Sequence, residues 1–395
     1  MPETVRRVDA AERRARLARR HHLAPGERAA TVTDAARGLV CLHATDPATV
    51  YLSARARVDG MTVGDLDRAL YEERSLVRHL AMRRTQFVFP RETLPAAQAG
   101  ASGRVADRER RSLVRDVEKA GLFGDGARWL DEAGAAVLGA LADGAGPVSY
   151  RELKAAIPVL AGAIVHGEGK SWGGKMSIGP RVLTVLSAEG LVVRAGNDGS
   201  WWTSRNRWAT TESWLGSRIA SVPEGDGTAR LVAEWLRAFG PGTEADLKWW
   251  LGSTLTAVRQ ALSVLDVARV DLDGGVGYLL ADDLAPVGAV EPWAALLPGL
   301  DPTTMGWRER DWYLGSYQQP LFDSVGNAGP TAWWDGRIVG GWWQDEAGRV
   351  VVHLLEDVGV EAERALAAEA DALTEWLGGV RVMLRFPSPL SKQFA

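Results

Sequence analysis

A chain of 395 residues, 46% hydrophobic and 24% charged, is long enough for two or three domains and has the composition of an ordinary globular protein. No stretch reaches the roughly 18 apolar residues of a membrane span, the Arg-rich start does not read as a signal peptide, and the single cysteine, Cys41, excludes an intrachain disulfide or a cysteine-based zinc site. The net charge of −4 hides an asymmetry, because residues 271–395 hold 8 Lys+Arg against 19 Asp+Glu, a balance of −11, while the remaining 270 hold 38 against 31, a balance of +7.

Residues 8–20 predict a basic helix, ended by Ala-Pro-Gly at 24–26. Its arginines suit either a solvated face or phosphate contact. Asp46-Pro47, followed by a run apolar at Val50, Leu52, Ala54 and Ala56, predicts a helix start, with Asp46 as cap and Pro47 in the first turn. The residue before a proline avoids the helical region. His43, Ala44 and Thr45 are therefore expected in extended chain, where His43 and Thr45 share one side. A helix around Val63–Leu70 and an apolar strand Gln86–Pro90 complete a helix–helix–helix–strand order that suits a winged helix.

The plan recurs. Ser149-Tyr150-Arg151-Glu152 is a capping box that opens a helix ending near Pro158. A second helix is expected over Gly179–Leu186, then strands at Leu191–Arg194 and Trp201–Thr203 flanking a turn at 196–199. Residues 227–281 repeat it more compactly. Helices are expected over Thr228–Phe239, from Thr243-Glu244-Ala245-Asp246, and over Leu255–Leu265 with Ser253 as cap, followed by strands Ala268–Leu272 and Val276–Leu280. Beyond 285, a tight hairpin turns at Asp335-Gly336 between Ala332–Trp334 and Ile338–Trp343. Val350–Leu355 follows as a third strand, then a helix Val360–Leu377 and a last strand Val380–Phe386. The expected fold class is α+β: tandem winged-helix units over 1–120, 121–215 and 216–285, and a C-terminal α+β region with a β-hairpin over 286–395.

The segment GLVCLHATDP (Gly38–Pro47) with its alanine- and leucine-rich helix resembles the first winged-helix element of the AlkZ/YcaQ-like family of bacterial DNA glycosylases. Ser75-Leu76-Val77-Arg78, Met82-Arg83-Arg84-Thr85-Gln86-Phe87-Val88, Leu297-Pro298-Gly299-Leu300-Asp301-Pro302 and Pro330–Gly340 are similar to that family too, in the same order. Characterised members carry Gln-x-Gln or Gln-x-Asp where this chain has His43 and Thr45. The resemblance implies a monofunctional glycosylase that excises alkylated or bulky-adduct purines from double-stranded DNA. No metal, cofactor or membrane would be needed, and a monomer is expected in the cytoplasm, associated with the nucleoid. A non-catalytic winged-helix DNA binder or transcriptional regulator stays open as the alternative.

Within that reading His43 would hydrogen-bond the attacking water and Thr45 would orient it. Asp46 is open between helix cap and base. Arg83, Arg84 and Gln86, beside the first wing, would meet phosphate. Lys170 and Lys175 in the Gly-rich run GEGKSWGGKMSIGP, and Arg181 just after it, suit a DNA-phosphate site or a mobile loop; the P-loop spacing is missing. Arg205, Arg207, Lys248 and Arg259 are further phosphate candidates. Trp334 and Arg337, at the hairpin tip, would enter a minor groove or press on a lesion. The six histidines lack metal-ligand spacing.

Overall fold

The computed structural model describes residues 4–144, 146–166, 174–383 and 385–393. Three times along it, helices feed a small antiparallel sheet. In the first unit the helices Val32–Gly38, Pro47–Arg55 and Val63–Asp67 accompany a sheet in which Thr85–Pro90 lies between Leu42–His43 and Leu76–Ala81. In the second, Gly126–Ala142, Tyr150–Ala156 and Gly179–Ala188 precede a sheet with Asn206–Thr210 between Val148–Ser149 and Val192–Asn197. The third has Glu224–Phe239, Glu244–Leu251 and Leu255–Ser263 before the hairpin Val267–Asp271/Val276–Leu280. Arg6–Arg7 adds to that hairpin as a short parallel strand. A four-stranded antiparallel sheet (Ala294–Leu297, Thr331–Trp334, Arg337–Gln344, Val350–Leu354) then packs against the helix Gly359–Leu377. The class is α+β, built on winged helices.

Local chemistry sets most boundaries. The hydroxyl of Ser149 accepts from Glu152 N–H while Glu152 accepts from Ser149 N–H, and Thr243 with Asp246 repeats this capping box. Asp335 and Gly336 both have positive φ, 44° and 78°, as a two-residue hairpin turn demands. The third helix of the third unit is capped by Thr254, whose hydroxyl accepts from Ala257 N–H, and not by the expected Ser253.

Two expected strands are absent. Trp201–Thr203 lies in the second wing's loop, and the hairpin partner of Val192–Asn197 is Asn206–Thr210. The Asn197 side chain holds that loop, donating to the carbonyls of Ser200 and Thr203 and accepting from Arg205 N–H. Val380–Phe386 forms no strand among the described residues. Gln344 engages two of its backbone groups, accepting from Val382 N–H at 2.8 Å and donating to the Val380 carbonyl at 2.8 Å. The patterning also missed two long helices, Gly103–Lys119 and Gly126–Ala142, and a two-stranded ribbon, Ala163–His166 with Gly174–Ser177.

One continuous apolar core joins the first and third units to the C-terminal sheet, through Tyr51, Phe89, Trp235, Trp307 and Trp333. A second core fills the middle unit, and the helix Gly103–Lys119 sends Leu113 and Val117 into it. The second wing ties the middle unit to the first core: its strands give Val192 and Trp208 to the second core, while Trp201 in its loop packs 5.2 Å from the Tyr51 ring and 5.5 Å, edge-on, from Trp376.

Candidate active site and nucleic-acid interface

Extended chain runs from Leu42 to Ala44, and Thr45 and Asp46 then bend into the helix start. His43 pairs with Phe87, Ala44 N–H donates to the Gln86 carbonyl at 2.8 Å, and Asp46 itself has β-region dihedrals (φ −99°, ψ 121°). Its carboxylate accepts from Ala48 N–H at 3.2 Å, which caps the helix Pro47–Arg55.

That helix is held in place along one face. Thr49, Ser53 and Arg57, four residues apart, all turn toward the segment 299–303. Thr49 donates to the Gly299 carbonyl at 2.8 Å, Ser53 to Asp301 at 2.6 Å, and Arg57 to both Asp301 oxygens and to Thr303. The Leu297–Pro302 segment thus anchors the helix whose first turn carries the site.

His43 is 7% exposed and stacks edge-on against Phe87 at 5.3 Å. Its Nδ1 is buried and finds no partner among the described residues. Burial, and then the Arg83 charge, push its pKa down to about 3, so the imidazole is neutral at physiological pH. His79 lies across the same strand, opposite Phe87, and burial pushes it down to about 4. Asp46 moves the other way. Burial raises its pKa, against the Ala48 N–H and the charge and backbone N–H of Arg385. Arg385 also donates to the Thr45 carbonyl at 2.8 Å. Beside this junction a pocket opens, lined by Asp46, Leu52, Trp342, Trp343, Arg385 and Phe386 among others.

The other candidates are scattered. Arg83 and Arg84 form a tight turn, both at positive φ (54° and 61°), an uncommon conformation for side-chain-bearing residues. Arg83 is half-buried with its guanidinium 4.2 Å over the Trp249 ring, and Arg310 covers the same ring at 5.2 Å. Burial, then the Arg310 charge, lower the Arg83 pKa to about 10. Arg84 is exposed and pairs with Glu109 at 2.7 Å. The Gln86 Oε1 is buried without a partner among the described residues.

Arg181 ties its helix to Gly103–Lys119 through Asp116, 2.9 Å away, and Arg207 is engaged by Asp198, Glu152 and the Pro147 carbonyl. Arg259 pairs with Glu244 at 2.9 Å. Lys175, Arg205 and Lys248 are exposed. Lys170 lies outside the described residues. Trp334 is half-buried, and Arg337 pairs with Glu356 at 2.9 Å. The turn at Gly336 sits against Arg14, where an added Cβ would meet the Arg14 Cβ at 2.6 Å, so the hairpin tip is packed on the N-terminal helix. Sequence reasoning did not find Arg385, Trp342 or Trp343 as neighbours of Asp46. They come from segments about 300 residues away, and no local pattern links them.

The described residues hold no cluster of His, Cys, Asp or Glu fit for a metal, and none of their helices is long and apolar enough to cross a membrane. Repeated winged helices around an extended strand-to-helix junction define a DNA-binding class of protein. The family model of AlkZ-like DNA glycosylases matches residues 36–376, and the chain belongs to that family of enzymes, which hydrolyse N-glycosyl bonds in DNA. Among solved structures, the DNA glycosylase AlkZ of Streptomyces sahachiroi is similar in fold, with TM-score 0.72 and 19% identity over 96% of this chain and 99% of that one. No curated protein matches the chain.

Proposed function

We propose that the chain excises alkylated or bulky-adduct purines from duplex DNA by hydrolysis at the 43–46 junction, leaving an abasic site. A purine alkylated on N7 or N3 is already cationic, so its glycosidic bond is weak and its departure needs no proton. The enzyme then has to position water and stabilise an oxocarbenium-like sugar. The observation that carries the reading is the placement of Asp46 at the mouth of the helix Pro47–Arg55 in a pocket walled by Trp342, Trp343 and Phe386, with Arg385 donating to the neighbouring Thr45 carbonyl. A histidine with pKa about 3 binds little proton at neutral pH, so His43 serves as a neutral hydrogen-bonding group that holds water. Asp46, raised by burial beside an aromatic-walled pocket, is the better proton acceptor and the nearer negative charge for a cationic sugar. Thr45 orients the water. Among the described residues the pocket lining contains no lysine to form a Schiff base, which supports a monofunctional enzyme.

Alkaline cleavage of DNA carrying N7-methylguanine tests this. Asp46→Asn should lower single-turnover excision by about 10²-fold or more, the size of a lost general base. His43→Ala should lower it by about tenfold, as for one lost hydrogen bond to the reacting water. Excision that survives both His43→Ala/Thr45→Ala and Asp46→Asn would move the chemistry elsewhere. A wild type that binds DNA but excises no purine would favour the non-catalytic reading.

A further inference from the structure

Most arginines of the molecule that were expected to meet DNA have internal carboxylate partners. Three that were not are differently placed. Arg78 lies on the strand Leu76–Ala81 of the first unit, and Arg194 on Val192–Asn197 of the second, and these two strands pack against each other. Arg78 is 4% exposed, yet its guanidinium makes no hydrogen bond or ion pair among the described residues, and its Nε is buried without a partner. The Nε of Arg194 is likewise buried and without a partner among the described residues, and its guanidinium stands 5.3 Å from the Trp208 ring. Arg385 reaches the same neighbourhood from the C-terminal segment, spending one N–H on the Thr45 carbonyl. The charges of Arg78 and Arg385 both act on Arg194 and, behind burial, help to lower its pKa to about 10; Tyr71 opposes them weakly.

Arg78 is buried, Arg194 half-buried and Arg385 exposed, and positive charge buried without a counter-ion is costly. Guanidinium groups meet that cost best with a planar or tetrahedral oxyanion, which they bind through several N–H groups at once. None of the three forms an ion pair among the described residues, and the charge of Arg385 reaches the Asp46 carboxylate without pairing with it. We propose that Arg78, Arg194 and Arg385 form a clamp across the first two units for one backbone phosphate of duplex DNA, next to the nucleotide presented to Thr45 and Asp46. The clamp rests on the reading of 43–46 as the excision site. It adds the element that would set the scissile sugar in register, since phosphate contacts fix position without reading bases.

The test is a thermodynamic cycle between protein and DNA. A duplex with a central abasic-site analogue is prepared with a neutral methylphosphonate at each backbone position in turn, and full-length wild type, Arg194→Gln, Arg385→Gln and Arg78→Lys are titrated by fluorescence anisotropy. Wild type should lose about tenfold in affinity at one methylphosphonate flanking the analogue. Arg194→Gln and Arg385→Gln should bind the unmodified duplex correspondingly more weakly, with the slope of log Kd against log salt reduced by about 1. The same methylphosphonate should then cost them almost nothing further. Arg78→Lys keeps the charge in a buried place and should retain most of the affinity. Losses that add at every phosphate would overturn the clamp while leaving DNA binding and excision intact. Wild type that fails to bind any duplex at low salt would instead overturn the reading of the site itself, and the clamp with it.

Discussion

Arg57 grips Asp301 through both carboxylate oxygens, at 2.9 and 2.7 Å, with neither side chain exposed to solvent. Ser53 and the Thr303 backbone add hydrogen bonds to the same carboxylate, and Thr303 in turn meets His21 at 2.8 Å. The pair therefore couples the helix behind the site to the Leu297–Pro302 segment and to the N-terminal helix. Asp301→Ala would strand the Arg57 charge in the core. It should lower stability by about 3–5 kcal/mol, the usual result of removing one partner of a buried ion pair. Urea denaturation followed by tryptophan fluorescence measures this directly. A loss below 1 kcal/mol would mean that water reaches Arg57.

Acid should destabilise the fold well above the ordinary carboxylate range. His43 and His79 have folded pKa values near 3 and 4, against about 6.5 in the unfolded chain, and His21 is also driven well below that value by burial. Between those limits the unfolded state binds more protons, so stability rises with pH. Their contribution is complete above about pH 6.5 and is lost as pH falls toward 3. Melting temperatures from pH 7 to pH 4 should therefore fall less steeply for His43→Gln than for wild type. Parallel curves would show that His43 reaches solvent.

Arg83 and Arg84 should separate structure from binding. Arg83→Ala removes a guanidinium stacked on Trp249 and should cost about 1–2 kcal/mol in thermal or chemical denaturation. Arg84→Ala touches an exposed ion pair and should change stability by less than about 1 kcal/mol. It should nevertheless weaken binding to every duplex sequence to a similar degree, as loss of a phosphate contact does. Equal behaviour of the two variants in both assays would contradict the placement of the turn.

Trp201→Ala should release the second wing. Its edge-to-face contact with Trp376 and tilted contact with Tyr51 are each worth about 0.5–1.5 kcal/mol. Stability should drop by that order, and amide exchange across residues 198–205 should accelerate. Unchanged exchange there would mean that the Asn197 side chain alone holds the loop.

Where a feature depends on a few neighbouring residues, it was legible in the sequence. Asp46-Pro47 set the helix start, the capping box at Ser149 and the helix opening at Thr243 formed as read, and Asp335-Gly336 made its hairpin. Features set by distant partners were not legible. Val380–Phe386 has the composition of a strand, but Gln344 engages two of its backbone groups. Arg181, Arg207, Arg259 and Arg337 look like free cations until the fold brings Asp116, Asp198, Glu244 and Glu356 to them. The same blindness hid Arg78 and Arg194, whose importance lies in the carboxylates that never arrive.

The docking of Trp201 has a mechanical consequence for how damage is found. A wing pinned to Tyr51 and Trp376 fastens the middle unit to the first core, so the first two units meet DNA as one preset shape. The burden of fitting then falls on the duplex, which must bend or open to follow that surface. Such deformation is cheapest where stacking and pairing are already weakened. Part of the preference for lesions would reside in the softness of the damaged site, and stiffening the DNA around a lesion should slow excision even with every chemical group of the enzyme in place.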